Sequence, residues 1–290
     1  MLQATSDNTS DQDWTLVVKP TTPWWDLRLR DVWNYRDLLW LFVRRDFVST
    51  YKQTILGPLW FFIQPLLTMI MFVIIFSGVA RIPTDGLPPS LFYLAGMTPW
   101  NFFAACLMST STTFIANANL FGKVYFPRLV VPLSIVISNL VQFLVQFLLF
   151  GGFFVWYMAT GTDLRPNLLL IVFLTPVLLV GMGLLGLGAG IAVSSVTTKY
   201  RDLARLVSFG VQLMMYATPV IYPLSAIPEK YKWLIQLNPM TSIIQSFRAI
   251  FLGGEVPWGG LVSSFIVTML ILLLGVVMFN KVEKTFVDTV

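Results

Sequence analysis

The sequence predicts an all-α integral membrane protein: six transmembrane helices, an N-terminal amphipathic interface helix, and external re-entrant helices between spans five and six. Three observations predict it. Apolar residues make up 56% of the 290-residue chain and charged residues 11%, too greasy a balance for a soluble domain of that length. Six stretches (58–80, 91–122, 129–162, 167–198, 206–228 and 256–280) contain no Asp, Glu, Lys or Arg, and a bilayer core takes roughly 20 apolar residues of helix. Basic residues also alternate between loops. Lys19, Arg28, Arg30, Arg36, Arg44, Arg45 and Lys52 precede the first stretch; Lys123 with Arg128, and Lys199 with Arg201 and Arg205, fill alternate links; Lys281 and Lys284 follow the last. The opposite loops hold only Arg81, Arg165, Lys230, Lys232 and Arg248 over a longer total length. Since Lys and Arg near span ends are retained inside, both termini are expected in the cytoplasm of a multi-pass protein of the inner membrane.

The chain divides into a polar tail (1–30), the interface helix (31–52), the six-span region (58–280) and a short C-terminal tail (281–290), all one membrane domain. Met1 to Asp13 are polar and acidic, without the basic and apolar regions of a secretion signal, so insertion rather than export is expected. In the interface helix Val32, Tyr35, Leu39, Phe42, Val43 and Phe47 fall on one face, and Arg30, Asn34, Asp37, Arg44 and Arg45 on the other. Leu38, Leu41 and Val48 blur the pattern. Trp33 and Trp40 are expected as interfacial anchors of a helix lying on the membrane surface, although a soluble partner covering the polar face fits as well.

Two links depart from plain turns. Residues 117–132, NANLFGKVYFPRLVVP, keep Leu120, Phe121, Val124, Tyr125 and Phe126 where polar residues are expected, and exposed aromatics there imply a packing partner. Residues 223–254 are too polar and proline-rich to span, yet apolar enough for two short helices, split by Pro239, that dip into the outer leaflet. The pair Gly186 and Gly190 allows close helix approach within or between subunits. Tyr200, Arg201 and Asp202 are read as a local cap, with Asp202 available to Arg205 or to a partner.

Function classes are narrowed by what is missing from the sequence. It has no histidine, which removes imidazole bases and the commonest metal ligand. A single cysteine, Cys106, inside an apolar stretch forms no intramolecular disulfide or cysteine cluster and is read as a small packing residue. The six stretches carry no ionisable groups of the kind a proton- or sodium-coupled transporter uses. No GxxxxGK[ST] nucleotide loop is present. The positive net charge is accounted for by orientation and anionic lipid, with no nucleic acid needed. There remain a passive pore, a structural scaffold, or a permease driven by a separate energy-supplying subunit; the apolar links favour the permease.

The segment RRDFVSTYKQTILGPLWFFIQPLL at 44–67 resembles the entry region of type 2 ABC exporter permeases of the polysaccharide export family, which handles O-antigen, capsule and teichoic acid. KVYFPR at 123–128, YRD at 200–202, TPVIYP at 218–223, LNPMTSIIQSFRAIFLG at 237–253 and FNKVEKTF at 279–286 are further matches in the family's order. The resemblance implies a homodimer of permeases and two separately encoded cytoplasmic ABC ATPase subunits. No cofactor would be bound by this chain, ATP and Mg being held by the ATPase. It also implies a coupling helix at Asn117, Asn119, Leu120, Phe121, Lys123, Tyr125 and Arg128. Spans one and five would line the channel, through Trp60, Phe61, Phe62, Gln64, Phe209, Gln212, Tyr216 and Tyr222. Aromatic faces there would meet sugar C–H groups while Tyr and Trp edges donate hydrogen bonds, and weak repeated contacts would let a polymer slide. Arg44, Arg45 and Lys52 are placed to meet the pyrophosphate of a lipid-linked glycan, or act only as membrane anchors. The implied cargo is a lipid-linked surface polysaccharide, O-antigen first, with teichoic acid, capsule, or a lipid or drug cargo as alternatives. No catalytic or metal-binding residues are nominated.

Overall fold

The computed structural model describes residues 29–51, 57–121, 126–200 and 202–286. Every regular element among them is helical. Two helices, α1 (Leu29–Asn34) and α2 (Arg36–Tyr51), lead into α3 (Trp60–Phe72), which begins from a 3-10 turn at Gly57–Leu59 and widens into a π-type stretch at Val73–Val79. There follow α4 (Pro89–Thr110), the short α5 (Thr113–Ala116) and α6 (Ala118–Phe121), α7 (Val130–Ala159), α8 (Leu168–Thr197), α9 (Leu203–Tyr216), α10 (Glu229–Gln236), α11 (Pro239–Leu252) and α12 (Trp258–Phe286).

Five of these are long and apolar enough to cross a membrane: Gly57–Val79, Pro89–Thr110, Val130–Ala159, Leu168–Thr197 and Trp258–Val282. The stretch at 206–228, expected to span as one helix, behaves differently. Helix α9 has 14 residues, about 21 Å at 1.5 Å per residue, against a core of roughly 30 Å. Its end has a local cause. Pro219 and Pro223 lack the amide protons a helix needs, and proline disfavours the helical conformation in the residue before it, here Thr218.

Helix α4 is the hub. It packs against α3, α7, α8, α9 and α11, and Leu91 to Trp100 are buried without interruption. Small residues make this possible. A side chain at Gly186 would lie 2.6 Å from Cys106 Cβ and 3.0 Å from the Phe103 carbonyl, and one at Gly190 would collide with Thr110. The glycine pair therefore packs inside the subunit, against α4, and Cys106 is the small partner it was read to be. The α4–α7 contact carries a polar pin, Asn101 Nδ2 donating to Gln146 Oε1 at 3.0 Å, the kind of interhelical bond that fixes helix rotation in an apolar medium.

The interface helix is broken at Tyr35 rather than continuous over 31–52. Val32, Phe42 and Val43 are buried against the rest of the chain while Tyr35 and Leu39 are half-buried, as the periodicity implies, but Phe47 is exposed. Trp33 and Trp40 both point outward. At the opposite end, Pro239 splits α10 from α11 as expected, and Asn238 caps α11 by accepting from Met240 N at 3.0 Å. Helix α11 is a core element, buried almost all round, whereas α10 is exposed.

Replacing Gly186 by Val is expected to lower the unfolding free energy by about 1–3 kcal/mol, the usual cost of overpacking. A fluorescence-monitored melt in detergent checks it. Substitution at Gly151, where an added Cβ meets nothing within 4 Å, is the matched control and is expected to leave the midpoint unchanged.

Candidate functional site

The residues nominated from sequence fall at two places, and the structure adds a third. On α3, Trp60 and Gln64 share one exposed stripe with Leu67, Met71 and Ile74, the spacing of one helical face. Trp60 is 50% exposed. Phe61 and Phe62 leave that stripe: Phe61 borders a polar cavity with Asp46, Ser109 and Asn139, and Phe62 borders an apolar groove on α7 with Leu148, Gly152 and Trp156. On α9, Phe209, Gln212 and Tyr216 are exposed together, Phe209 to 59%. Tyr222 is half-buried and donates its hydroxyl to the Tyr216 carbonyl at 2.8 Å, so it closes the end of α9 rather than extending the stripe. Helices α3 and α9 both pack on α4. Among the described residues nothing covers these two aromatic and amide-bearing stripes.

The link at 117–128 is built differently from its expectation. Phe121 and Phe126 are only 5% and 4% exposed. Phe121 lies 5.8 Å from the Phe114 ring and 5.9 Å from that of Phe126, which in turn meets Phe42 at 5.8 Å; Phe114 stacks on Phe279 at 4.5 Å. The exposed-aromatic argument is therefore corrected for these two. Their packing partners are α2 and α12 of the same chain, because burying a ring against neighbouring rings in edge and offset contacts stabilises it more than leaving it at the surface. Arg128 lies over the Phe121 ring at 5.4 Å. Asn119 is exposed, and Asn117 and Leu120 are half-buried. Lys123 and Tyr125 lie outside the described residues, as do Val124 and Lys52. Arg44 and Arg45 are exposed on α2; Arg45 pairs with Asp46 at 2.8 Å and sits 4.8 Å from the Phe42 ring. Asp202 stands at the N-cap of α9 but its side chain makes no capping hydrogen bond.

The third place is one that the sequence reading passed over. Arg248, counted there only among the sparse basic residues of the poorer loops, is 8% exposed in the middle of α11. Its Nη1 donates to the Pro219 carbonyl at 2.6 Å and its Nη2 to the Val220 carbonyl at 2.6 Å and, longer, to the Phe92 carbonyl at 3.4 Å. The guanidinium also lies 3.8 Å from the centroid of the Phe92 ring. The proline-broken segment after α9 leaves carbonyls without helical partners, and Arg248 supplies the donors that buried backbone requires. Gly96 on α4 makes the room, since a Cβ there would collide with Nη2 and with the Val220 carbonyl. One signal was available in the sequence: a single cation inside the otherwise uncharged run PMTSIIQSFRAIFL, where an isolated charge needs a partner.

Residues 37–252 match the family described as ABC-2 type transporter. The chain belongs to that family. It is also 32% identical over 252 residues to two O-antigen export system permease proteins RfbA of Klebsiella pneumoniae, covering 87% of this chain and 94% of each relative. The RfbA permease of Myxococcus xanthus is 32% identical over 231 residues, 79% of this chain and 85% of the relative. As an ABC-2 family member the chain is a transport subunit, the membrane permease of an ABC exporter, and its apolar helices agree with that role. Within the permease, the uncovered stripes of α3 and α9 are surfaces for whatever passes or packs beside them, and the Arg248 clamp joins α9, α4 and α11.

Arg248→Met is expected to destabilise the permease by about 1.5–3 kcal/mol, the range for hydrogen bonds to a charged group. Arg248→Lys should recover only part of this, because one ammonium cannot reproduce the planar fork. Thermal midpoints of the purified permease measure both; equal midpoints for the Met variant and the wild type would show that the clamp contributes nothing.

Proposed function

We propose that this chain is the permease subunit of an ABC exporter that moves a lipid-linked surface polysaccharide, O-antigen in the first instance, from the inner to the outer leaflet of the inner membrane. The observation that carries it is the similarity to O-antigen export permeases over nearly their whole length. Two copies of the permease form the pathway, and two separate ATPase subunits bind and hydrolyse ATP with Mg. No nucleotide site belongs to this chain.

In this reading the membrane is crossed six times, the fifth crossing being α9 continued by the non-helical residues 217–223, where Arg248 satisfies the Pro219 and Val220 carbonyls while Tyr222 closes the Tyr216 carbonyl at the end of α9. Both termini then lie in the cytoplasm, consistent with the concentration of Lys and Arg in the segments on that side. Helices α10 and α11 form the re-entrant pair on the outer side. The stripes of Trp60 and Gln64 and of Phe209, Gln212 and Tyr216 face the glycan path between the two copies, where π-faces meet sugar C–H groups and the amides meet hydroxyls. Helices α1 and α2 lie along the inner membrane surface. The 117–128 link docks on the ATPase, with Asn119 exposed and the Phe114–Phe121–Phe126–Phe279 cluster transmitting the push to α12.

The cellular test is depletion followed by fractionation and lectin labelling from outside. Finished lipid-linked glycan accumulating inside supports export and identifies the cargo as O-antigen, capsule or teichoic acid. Normal surface glycan, in a cell with no redundant exporter, overturns the polysaccharide reading. A second prediction concerns coupling: Asn119→Lys should reduce cargo-stimulated ATP hydrolysis by the reconstituted complex at least tenfold, about 1.4 kcal/mol, at unchanged permease abundance. Unaltered stimulation would remove this link from the ATPase interface.

A further inference from the structure

At the end of the molecule that carries α10 and α11, two cavities adjoin. One, of about 640 Å3, is bordered by Asp85, Asp163, Ser225, Gln236, Gln245 and Arg248; the other, of about 430 Å3, by Asn167 and Trp258. Arg165, Ala249, Gly254 and Glu255 line both, so the two form one elongated groove. Its volume falls in the range of sites that take small molecules.

The charges in this groove argue against an ion as its occupant. An anion would face Asp85, Asp163 and Glu255; a cation would face Arg165 and Arg248. A neutral, polyhydroxylated molecule meets no such conflict. Carboxylate and amide groups such as those of Glu255, Gln236 and Gln245 are planar forks that accept or donate two hydrogen bonds side by side, which matches hydroxyls on adjacent sugar carbons. Trp258, 54% exposed at the second cavity, adds an aromatic face for the C–H side of a sugar ring.

The wall is built in advance of any ligand. Ser225 Oγ donates to Asp85 Oδ1 at 2.7 Å, tying the left-handed turn at Asp85 (φ 51°) to the segment after α9. Arg165 is held by Asp163 through Nε at 3.3 Å and Nη2 at 3.1 Å, a pairing that raises its pKa first by the hydrogen bond and then by charge. Gly253, at φ 100°, brings the α11 terminus against Arg165, whose Cβ would lie 3.3 Å from any side chain there. Arg248 is immobilised by its carbonyl partners, and its Nε has no hydrogen-bond partner among the described residues. Side chains ordered beforehand lose little entropy on binding.

We propose that this groove is a neutral-glycan binding site on the outer side of the permease, holding a short run of sugars of the polysaccharide as it leaves. It rests on the polysaccharide reading above for its biological ligand, though not for its chemistry. Being open and elongated, it suits a linear chain that occupies it in passing rather than a small molecule that is enclosed.

The experiment uses the permease with its ATPase subunits in lipid nanodiscs and a panel of neutral linear tetrasaccharides of mannose, galactose and rhamnose, read by saturation-transfer NMR. At least one tetrasaccharide is expected to bind, and sulfate and spermidine are expected not to compete with it. The double variant Glu255→Ala, Gln236→Ala, two exposed positions, should weaken binding at least tenfold. Trp258→Ala should do the same and Trp258→Phe restore it. The proposal is overturned if no tetrasaccharide binds the wild type, if the variants bind as the wild type does, or if sulfate or spermidine displaces the sugar. Depletion separates the two readings. Glu255-dependent sugar binding together with normal surface glycan would retain the groove and sink the export role; lost surface glycan without sugar binding would do the reverse.

Discussion

A buried guanidinium organises the half of this permease that carries α10 and α11. The proline-broken segment after α9 turns its carbonyls into a region with little water, where each unpaired group costs several kcal/mol. Arg248 meets two of them, Pro219 and Val220, and reaches toward a third on α4. Pro219 and Pro223 make the break in α9, and one side chain then ties the broken segment to α11 and α4. Gly96 is tied to the same constraint, since only a residue without a Cβ leaves room for the fork. The planar, permanently charged fork is what lets a single residue serve several acceptors at once.

The other half rests on small residues and rings. Gly186 and Gly190 bring α8 against α4, and the ring cluster of Phe42, Phe114, Phe121, Phe126 and Phe279 ties the link after α4 to α2 and α12. With dispersion rather than the hydrophobic effect holding helices together in lipid, close approach by small residues is the main source of adhesion. The same rings join α5 and α6 to α2 and α12, and α4 in turn packs against α3, α7, α8, α9 and α11.

Much of this was legible in the sequence. The apolar stretches, the split at Pro239 and the outward placement of Trp33 and Trp40 follow from hydropathy and helical spacing, which are local properties. The misreadings share a cause. Phe121 and Phe126 looked exposed because a short link between spans ordinarily faces water, and nothing local shows that α2 and α12 fold over it. The stretch at 206–228 has the length and hydropathy of a single helical span, but Pro219 and Pro223 end its helix at Tyr216.

The sequence alone determined the class of solvent, the number of long apolar stretches, the asymmetry of basic residues, and the ordered motifs that place the chain among ABC-2 exporter permeases. Those are sums over composition or patterns within one turn or one span, and they survive whatever the helices do to one another. Only the tertiary structure decided that Arg248 is a clamp rather than an orientation signal, that the glycine pair faces α4, and that Asp85, Arg165, Glu255 and Trp258, drawn from three separate loops and a helix start, border one groove. Each depends on contacts between residues far apart in the chain, which no local pattern records; the Arg248 clamp and the glycine pair are made where packed helices leave no water and must satisfy one another.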